Sequence, residues 1–115
     1  MTNEEFMIEL EKSFLRSKKV LLRKAKEYSP ESGDDRLQQF YRAAFAQNIQ
    51  PTSALVGMMT KHYTSICDMA AEPWKHSITQ WRKKITDLRN FTFLLDALLV
   101  DMNDRDFLYG RKGDI

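Results

Sequence analysis

The sequence predicts an all-α fold, a bundle of four or five helices, and three observations carry that expectation. Gly and Pro are scarce, four and three in 115 residues, which leaves few turns for an all-β chain. Nearly all of them fall where helices should stop or start: Pro30 and Gly33, Pro51, Pro73, then Gly110 and Gly113. The segments between carry apolar residues at three-, four- and seven-residue spacings. The length is one domain's worth, with roughly 60–70% of the unfolded chain's surface buried on folding. Residues 1–103 are expected to form that domain and 104–115 a short C-terminal tail.

The first helix is expected from about Glu4 to Tyr28, with Phe6, Leu10, Phe14, Leu21, Ala25 and Tyr28 on one core-facing stripe. Glu4, Glu5, Glu9 and Glu11 crowd its first half, while Lys12, Arg16, Lys18, Lys19, Arg23, Lys24 and Lys26 fill its second. The helix dipole favours that order. The basic run reads either as a solvated face or as a contact for phosphate or RNA. Ser29-Pro30-Glu31-Ser32-Gly33 ends the helix. Asp34 is the candidate N-cap of a short second helix, about Asp35 to Gln47, with Leu37, Tyr41 (or Phe40), Ala44 and Phe45 inward.

Pro51 suits the first turn of a third helix that runs to about Ala70. Its core stripe is Leu55, Met59, His62, Ile66 and Met69, with Met58, Lys61, Ser65 and Asp68 alongside. Ser77 followed by Gln80 is a capping box that opens a fourth helix, to about Met102. Ile78, Trp81, Ile85, Leu88, Leu95, Leu99 and Met102 form its core stripe, and Phe91, Phe93, Leu94, Leu98 and Val100 leave it apolar on most sides. Such a helix is central or lies in a subunit contact, so a homo-oligomer, a homodimer first, is expected.

Composition excludes several classes. Thirteen aromatic residues and 18 basic against 16 acidic residues are not a disordered composition. The longest charge-free run, Ala43 to Thr60, is broken by Gln47, Asn48, Gln50 and Pro51, so no membrane span is expected. Met1 to Leu10 holds three glutamates and no apolar run, unlike a signal or transit peptide. Cys67 is the only cysteine, which allows no internal disulfide and points to the cytoplasm; it reads as a small buried hydrophobe. A net charge of +2 gives little steering towards nucleic acid, which is not the expected partner.

The informative residues are polar ones in apolar helices. Asp87 and Asn90 lie three apart on the fourth helix, with Asp87 between the core positions Ile85 and Leu88. On the third, Lys61, Ser65 and Asp68 stand in line beside His62. Antiparallel packing of the two helices points both lines into one groove. Carboxylate and carbonyl oxygens there suit Mg²⁺, while Lys and His suit phosphate. The alternative is structural: Lys61 or Arg36 neutralises Asp68 or Asp87 and sets the packing register. His76 carries almost no signal.

With those residues on the page, the chain resembles phage-borne relatives of the MazG-like all-α NTP pyrophosphatases and the phage nucleotide-modification-associated domains. The resemblance is an ordered series over residues 26 to 99. It runs from Lys26-Glu27-Tyr28 and Asp35-Arg36-Leu37 with Phe40, through Gly57-Met58-Met59, Lys61-His62, Ser65-Ile66 and Asp68-Met69, to Trp81, Lys84-Ile85, Asp87, Asn90-Phe91, Leu94-Leu95 and Ala97-Leu98. It implies a helical bundle that assembles into dimers or tetramers and holds Mg²⁺ on four helix-borne acids to cleave a nucleoside triphosphate. Asp68 and Asp87 would be the metal ligands, and Arg36, Lys61, His62, Ser65, Lys84 and Asn90 the nucleotide and phosphate contacts. Lys61, Ser65, Lys83 and Asn90 stand where the family carries further acids, so the resemblance implies a degenerate site that binds rather than hydrolyses nucleotide. Equally, a small phage-borne bundle of this kind is expected as a non-catalytic interaction protein that inhibits a host defence or nuclease complex, of the anti-CRISPR type. In both cases the place of action is the host cell's cytoplasm.

Overall fold

The structure, a computed structural model, describes residues 1–28 and 36–105, with side chains omitted at 25–28. It is all-α, as the sequence predicts. Helix α1 spans Asn3–Tyr28, α2 Gln38–Gln47, α3 Pro51–Ala71 and α4 Ile78–Asp104, and a 3₁₀ turn covers Pro73–Lys75. No described residue forms a strand, and no described helix is long and apolar enough to cross a membrane.

Local chemistry sets most of the helix ends. Thr2 and Glu5 make a reciprocal capping box, Glu5 N–H to Thr2 Oγ1 at 3.1 Å and Thr2 N–H to Glu5 Oε2 at 2.9 Å. Asn48 closes α2 in the left-handed region, φ 54°, and the Ile49 N–H reaches back to the Ala44 carbonyl at 3.0 Å. Extended Gln50 then leads into Pro51 at the first turn of α3. The Ser77–Gln80 box caps α4 with bonds of 2.9 and 3.1 Å. Trp81 Nε1–H donates to the Pro73 carbonyl at 3.2 Å, which ties the connecting turn to α4. Helix α2 begins after Leu37 rather than at Asp35; Asp34, Asp35 and the turn expected at 29–33 lie outside the described residues. So does the tail beyond Arg105, whereas α4 continues past Met102 to Asp104.

Helices α3 and α4 form an antiparallel hairpin: Leu55 near the start of α3 packs with Leu98, and His62 stacks on Phe91. Helix α2 closes one end of this hairpin. The core is Leu37, Phe40, Leu55, Leu98 and Met102, with Tyr41, Met58, Phe91, Leu94 and Leu95 packed around it. Each fully buried side chain of this kind contributes about 1.5–3 kcal/mol. Tyr41 Oη donates to Asp101 at 2.5 Å, and the Arg105 guanidinium lies 4.8 Å from the centre of the Tyr41 ring.

Helix α1 is different. Among the described residues it packs on α4 alone, and it does so through polar groups. Ser17, only 1% exposed, takes hydrogen bonds from two residues of α4. Arg89 Nε donates to Ser17 Oγ at 2.6 Å and Arg89 Nη2 to the Ser13 carbonyl at 3.1 Å. Asn90 Nδ2 donates to the Ser17 carbonyl at 3.3 Å. The chain is extended, with a radius of gyration of 16.9 Å against about 13 Å for a compact domain of this length.

The expected stripes hold in part: Leu10 and Leu21 of α1 and Trp81, Leu88, Leu95, Leu99 and Met102 of α4 are half-buried or buried, while other members are not. Phe6 and Phe14 were assigned to the core, yet both are at least half exposed, because the line that meets α4 runs through Ser13 and Ser17. On α4 the buried line is Thr86, Asn90, Leu98 and Met102, and Ile78 and Ile85 face solvent. Phe45 is 90% exposed instead of inward, since Phe40 and Ala44 already fill the α2 side of the core. Cys67 is exposed rather than buried. The side chains of Ala25 and Tyr28 lie outside the described residues.

These contacts separate two kinds of damage. Leu98→Ala should lower global stability by about 2–5 kcal/mol through the cavity it leaves. Arg89→Met removes charge-assisted hydrogen bonds worth about 1.5–3 kcal/mol that hold α1 on α4 through Ser13 and Ser17. Amide hydrogen exchange should therefore quicken in α1 while α3 and α4 stay protected; equal loosening of all helices would contradict the polar crossing.

Candidate functional site

Asp87 sits where three helices meet. It projects from the second half of the α3–α4 contact, with 14% of its side chain exposed. Lys24 of α1 approaches one carboxylate oxygen at 3.7 Å, and His62 Nδ1 of α3 approaches the other at 4.0 Å. At that distance the imidazole makes no hydrogen bond, and its Nδ1 is buried without one. Burial lowers the His62 pKa below its ordinary value. The Asp87 carboxylate works against this, and Lys84, Lys61 and Lys24 reinforce it. His62 is therefore neutral at pH 7, and Lys24 is the cation that neutralises Asp87.

Asn90, one turn along α4, uses its amide nitrogen on the Ser17 carbonyl; its Oδ1 is buried with no partner. A cavity of about 70 Å³ lies beside it, lined by Leu21, Lys24, Arg36, Gln39, Asp87 and Asn90, among others. Arg36 Nη1 is also buried without a hydrogen bond. That volume is far below the 300–1,000 Å³ of small-molecule sites.

The fold thus brings together Arg36, His62, Asp87 and Asn90, with Lys61 and Lys84 in the electrostatic field of His62. Ser65 is half-buried one turn further along α3. Asp68 is exposed, and six residues beyond His62 it lies about 240° around the helix, on another face. The expected Mg²⁺ pair of Asp68 and Asp87 therefore does not form one ligand set. The groups around Asp87 are Lys24, His62 and Lys84, and no cluster of three His, Cys, Asp or Glu capable of holding a metal exists among the described residues. Mg²⁺ requires near-octahedral oxygen ligands, and this donor set does not fit it. Of the two neutralising partners expected for Asp87, neither Lys61 nor Arg36 makes the ion pair; Lys24, from a helix 63 residues away in sequence, does.

A larger feature opens on the outer side of Asp87. Where α1 crosses α4, a groove of about 940 Å³ is lined by Arg16, Lys19, Arg23 and Lys24 from one helix and Arg82 and Lys83 from the other, with Thr79 and Thr86 between them. Asp87 is its one acidic lining residue. Arg16 gives Nη2 to Ser13 Oγ at 2.9 Å, but its Nε is buried without a partner. Arg82 stands 3.9 Å from Glu9. Neighbouring guanidinium charge and burial are felt as far as Arg89, whose pKa is lowered by burial first and by Arg16 second; a guanidinium stays protonated even so. The basic run of α1 was visible in sequence. That Arg82 and Lys83 face it was not, because only the crossing angle of α1 and α4 brings them together.

No family model, curated protein or solved structure matches the chain.

The depressed His62 pKa has a pH signature. In the unfolded chain His62 titrates near its ordinary 6.5, so below that pH the unfolded state binds more protons than the folded one. The contribution is fully present above pH 6.5 and is lost as pH falls towards the folded value. Thermal unfolding should therefore show a loss of stability below pH 6.5 that is smaller in His62→Gln. In Asp87→Asn the His62 resonance should titrate at still lower pH by NMR, since the group that raises its pKa is gone; an upward movement would contradict the geometry.

Proposed function

We propose that the protein binds a nucleotide by its phosphates in the groove between α1 and α4 and does not hydrolyse it. The observation that carries this reading is the lining of the groove: six cations from two helices face one volume, and Lys19, Arg23 and Lys83 make no ion pair among the described residues. A phosphate chain offers those side chains charge-assisted, partly bidentate hydrogen bonds. Thr79, Arg82 and Lys83 belong to the first two turns of α4, whose positive dipole end adds to the attraction. The groove, about 940 Å³, has the size of a small-molecule site.

This reading keeps the nucleotide that the resemblance to MazG-like pyrophosphatases implies and sets aside its hydrolysis. Metal-assisted phosphoryl chemistry needs several carboxylates converging on the metal. Here a single carboxylate, Asp87, stands among Lys24, His62 and Lys84. Mg²⁺ on this reading accompanies the phosphates in solution and takes no ligand set from the chain. Asp87 acts as an internal counter-ion that orients Lys24 at the end of the groove.

A second reading rests on a separate observation. Phe45, 90% exposed, stands with Tyr41, Ile49 and Pro51 on an apolar groove at the junction of α2 and α3. That surface favours a non-catalytic interaction protein directed at a host defence or nuclease complex.

Calorimetric titration with ATP, a dNTP panel and an oligonucleotide of matched charge tests the first reading. Nucleotide binding should weaken as salt rises, because exposed cations are screened. The double variant Arg23→Ala/Lys83→Ala should weaken it about tenfold or more, the loss of roughly 1.4 kcal/mol or above. Incubation with Mg²⁺ should release no pyrophosphate. Absence of any nucleotide binding would sink the reading, and pyrophosphate release would replace binding with catalysis. Capture of a host complex that Phe45→Asp abolishes and Arg23→Ala/Lys83→Ala leaves intact would favour the second reading.

A further inference from the structure

Helix α1 is amphipathic in the wrong direction for a chain on its own. Its inward side holds Ser13 and Ser17 with the half-buried Leu10, Val20 and Leu21, while Met7, Ile8, Phe14, Leu15 and Leu22 each expose half or more of their surface. Ile8, Leu15 and Leu22 lie about 140–180° around the helix from Ser17, on the side away from α4. They recur every seven residues, with Met7 and Phe14 beside them at the same spacing, and a seven-residue apolar repeat keeps one face continuous along a helix pair. At the edge nearer α4 the Phe14 ring lies 6.4 Å from that of Phe93, which extends the patch.

We infer that this face pairs with the same face of a second copy, antiparallel, about a two-fold axis between Phe14 and Leu15. The register follows from the sequence alone. With the axis there, Met7 meets Leu22 of the partner subunit, Phe14 meets Leu15 of the partner subunit, and Glu11 meets Lys18 of the partner subunit. Glu11 and Lys18 are the charged residues in the middle of the apolar face, both exposed and equidistant from the axis. Antiparallel pairing makes two Glu–Lys pairs. Parallel pairing would set Glu11 on Glu11 and Lys18 on Lys18, a like-charge arrangement that costs stability. A surface complementary to itself under a two-fold rotation is the requirement of an isologous dimer.

The area is adequate. Five half-exposed apolar side chains present on the order of 500 Å² per copy. Pairing removes about 1,000 Å² from water before the flanking charged side chains are counted, which reaches the size of a specific interface. The dimer rests on other residues than the nucleotide reading: Arg16, Lys19, Arg23 and Lys24 line the groove, and the pairing uses none of them.

Sedimentation equilibrium of the full chain tests the inference. At micromolar concentration the mass should be twice 13.5 kDa. Leu15→Glu should give a monomer whose helix content is unchanged by circular dichroism. Glu11→Lys or Lys18→Glu alone should raise the dimer dissociation constant about tenfold, and the double exchange should restore it. In a Cys67→Ser background, Leu15→Cys should crosslink two copies near the axis, whereas Met7→Cys should not. A monomer at all concentrations, a dimer indifferent to Leu15→Glu and Glu11→Lys, or a crosslink through Met7→Cys would each overturn it.

Discussion

The polar crossing of α1 on α4 is the contact on which the rest of the structure depends. A small side chain at Ser17 lets the two helices approach, and Arg89 and Asn90 supply three donors to Ser13 and Ser17. Buried donors must be partnered, so these bonds orient α1 as well as hold it. The rotation they impose turns the serines inward and the apolar residues outward. It also swings the basic second half of α1 over the start of α4, where Arg82 and Lys83 wait. Groove and outer apolar face are two consequences of one crossing.

Asp87 marks the hinge of the charge distribution. A carboxylate 14% exposed is costly unless a cation partners it. Lys24 fills that role from α1, so the same residue that anchors the second half of α1 closes one end of the groove. His62 stays neutral because burial and three lysines outweigh Asp87. A neutral imidazole carries no charge with which to compete with Lys24 for the carboxylate. The acid that reads in sequence as a metal ligand stands 3.7 Å from the Lys24 ammonium.

The helix count and most helix ends were legible because they rest on local chemistry. Pro51 after extended Gln50 and the Ser77–Gln80 box needed no tertiary information, and the Thr2–Glu5 box carries the same signature three residues apart. Asp87 and Asn90 were legible as misfits, polar groups in an apolar helix. What was not legible was the direction of α1. Apolar residues are assigned inward on the premise that the chain buries its own stripe, and Phe6 and Phe14 break that premise, since Ser17 holds the inward position. Lys24 escaped for a related reason: its partner lies on another helix, and no spacing rule connects α1 to α4. Asp68 went the other way, aligned with Lys61 and Ser65 on paper but turned to solvent by the rotation of α3 that buries Leu55 and Met69.

On the two proposals helix α1 has a ligand on one face and a second copy on another, while its own chain holds it at one polar crossing. Lys19, Arg23 and Lys24 form one wall of the groove, and the opposite wall belongs to α4, which is anchored through Leu98 and Met102 in the core. The separation of the walls is set by how firmly α1 is held. A ligand bridging both walls restrains α1 from within, and a second copy on Ile8, Leu15 and Leu22 restrains it from outside. Each then lowers the ordering cost that the other must meet, which is positive coupling without any change of fold. The coupling is reciprocal by thermodynamic necessity: if nucleotide tightens the dimer, the dimer tightens nucleotide by the same factor.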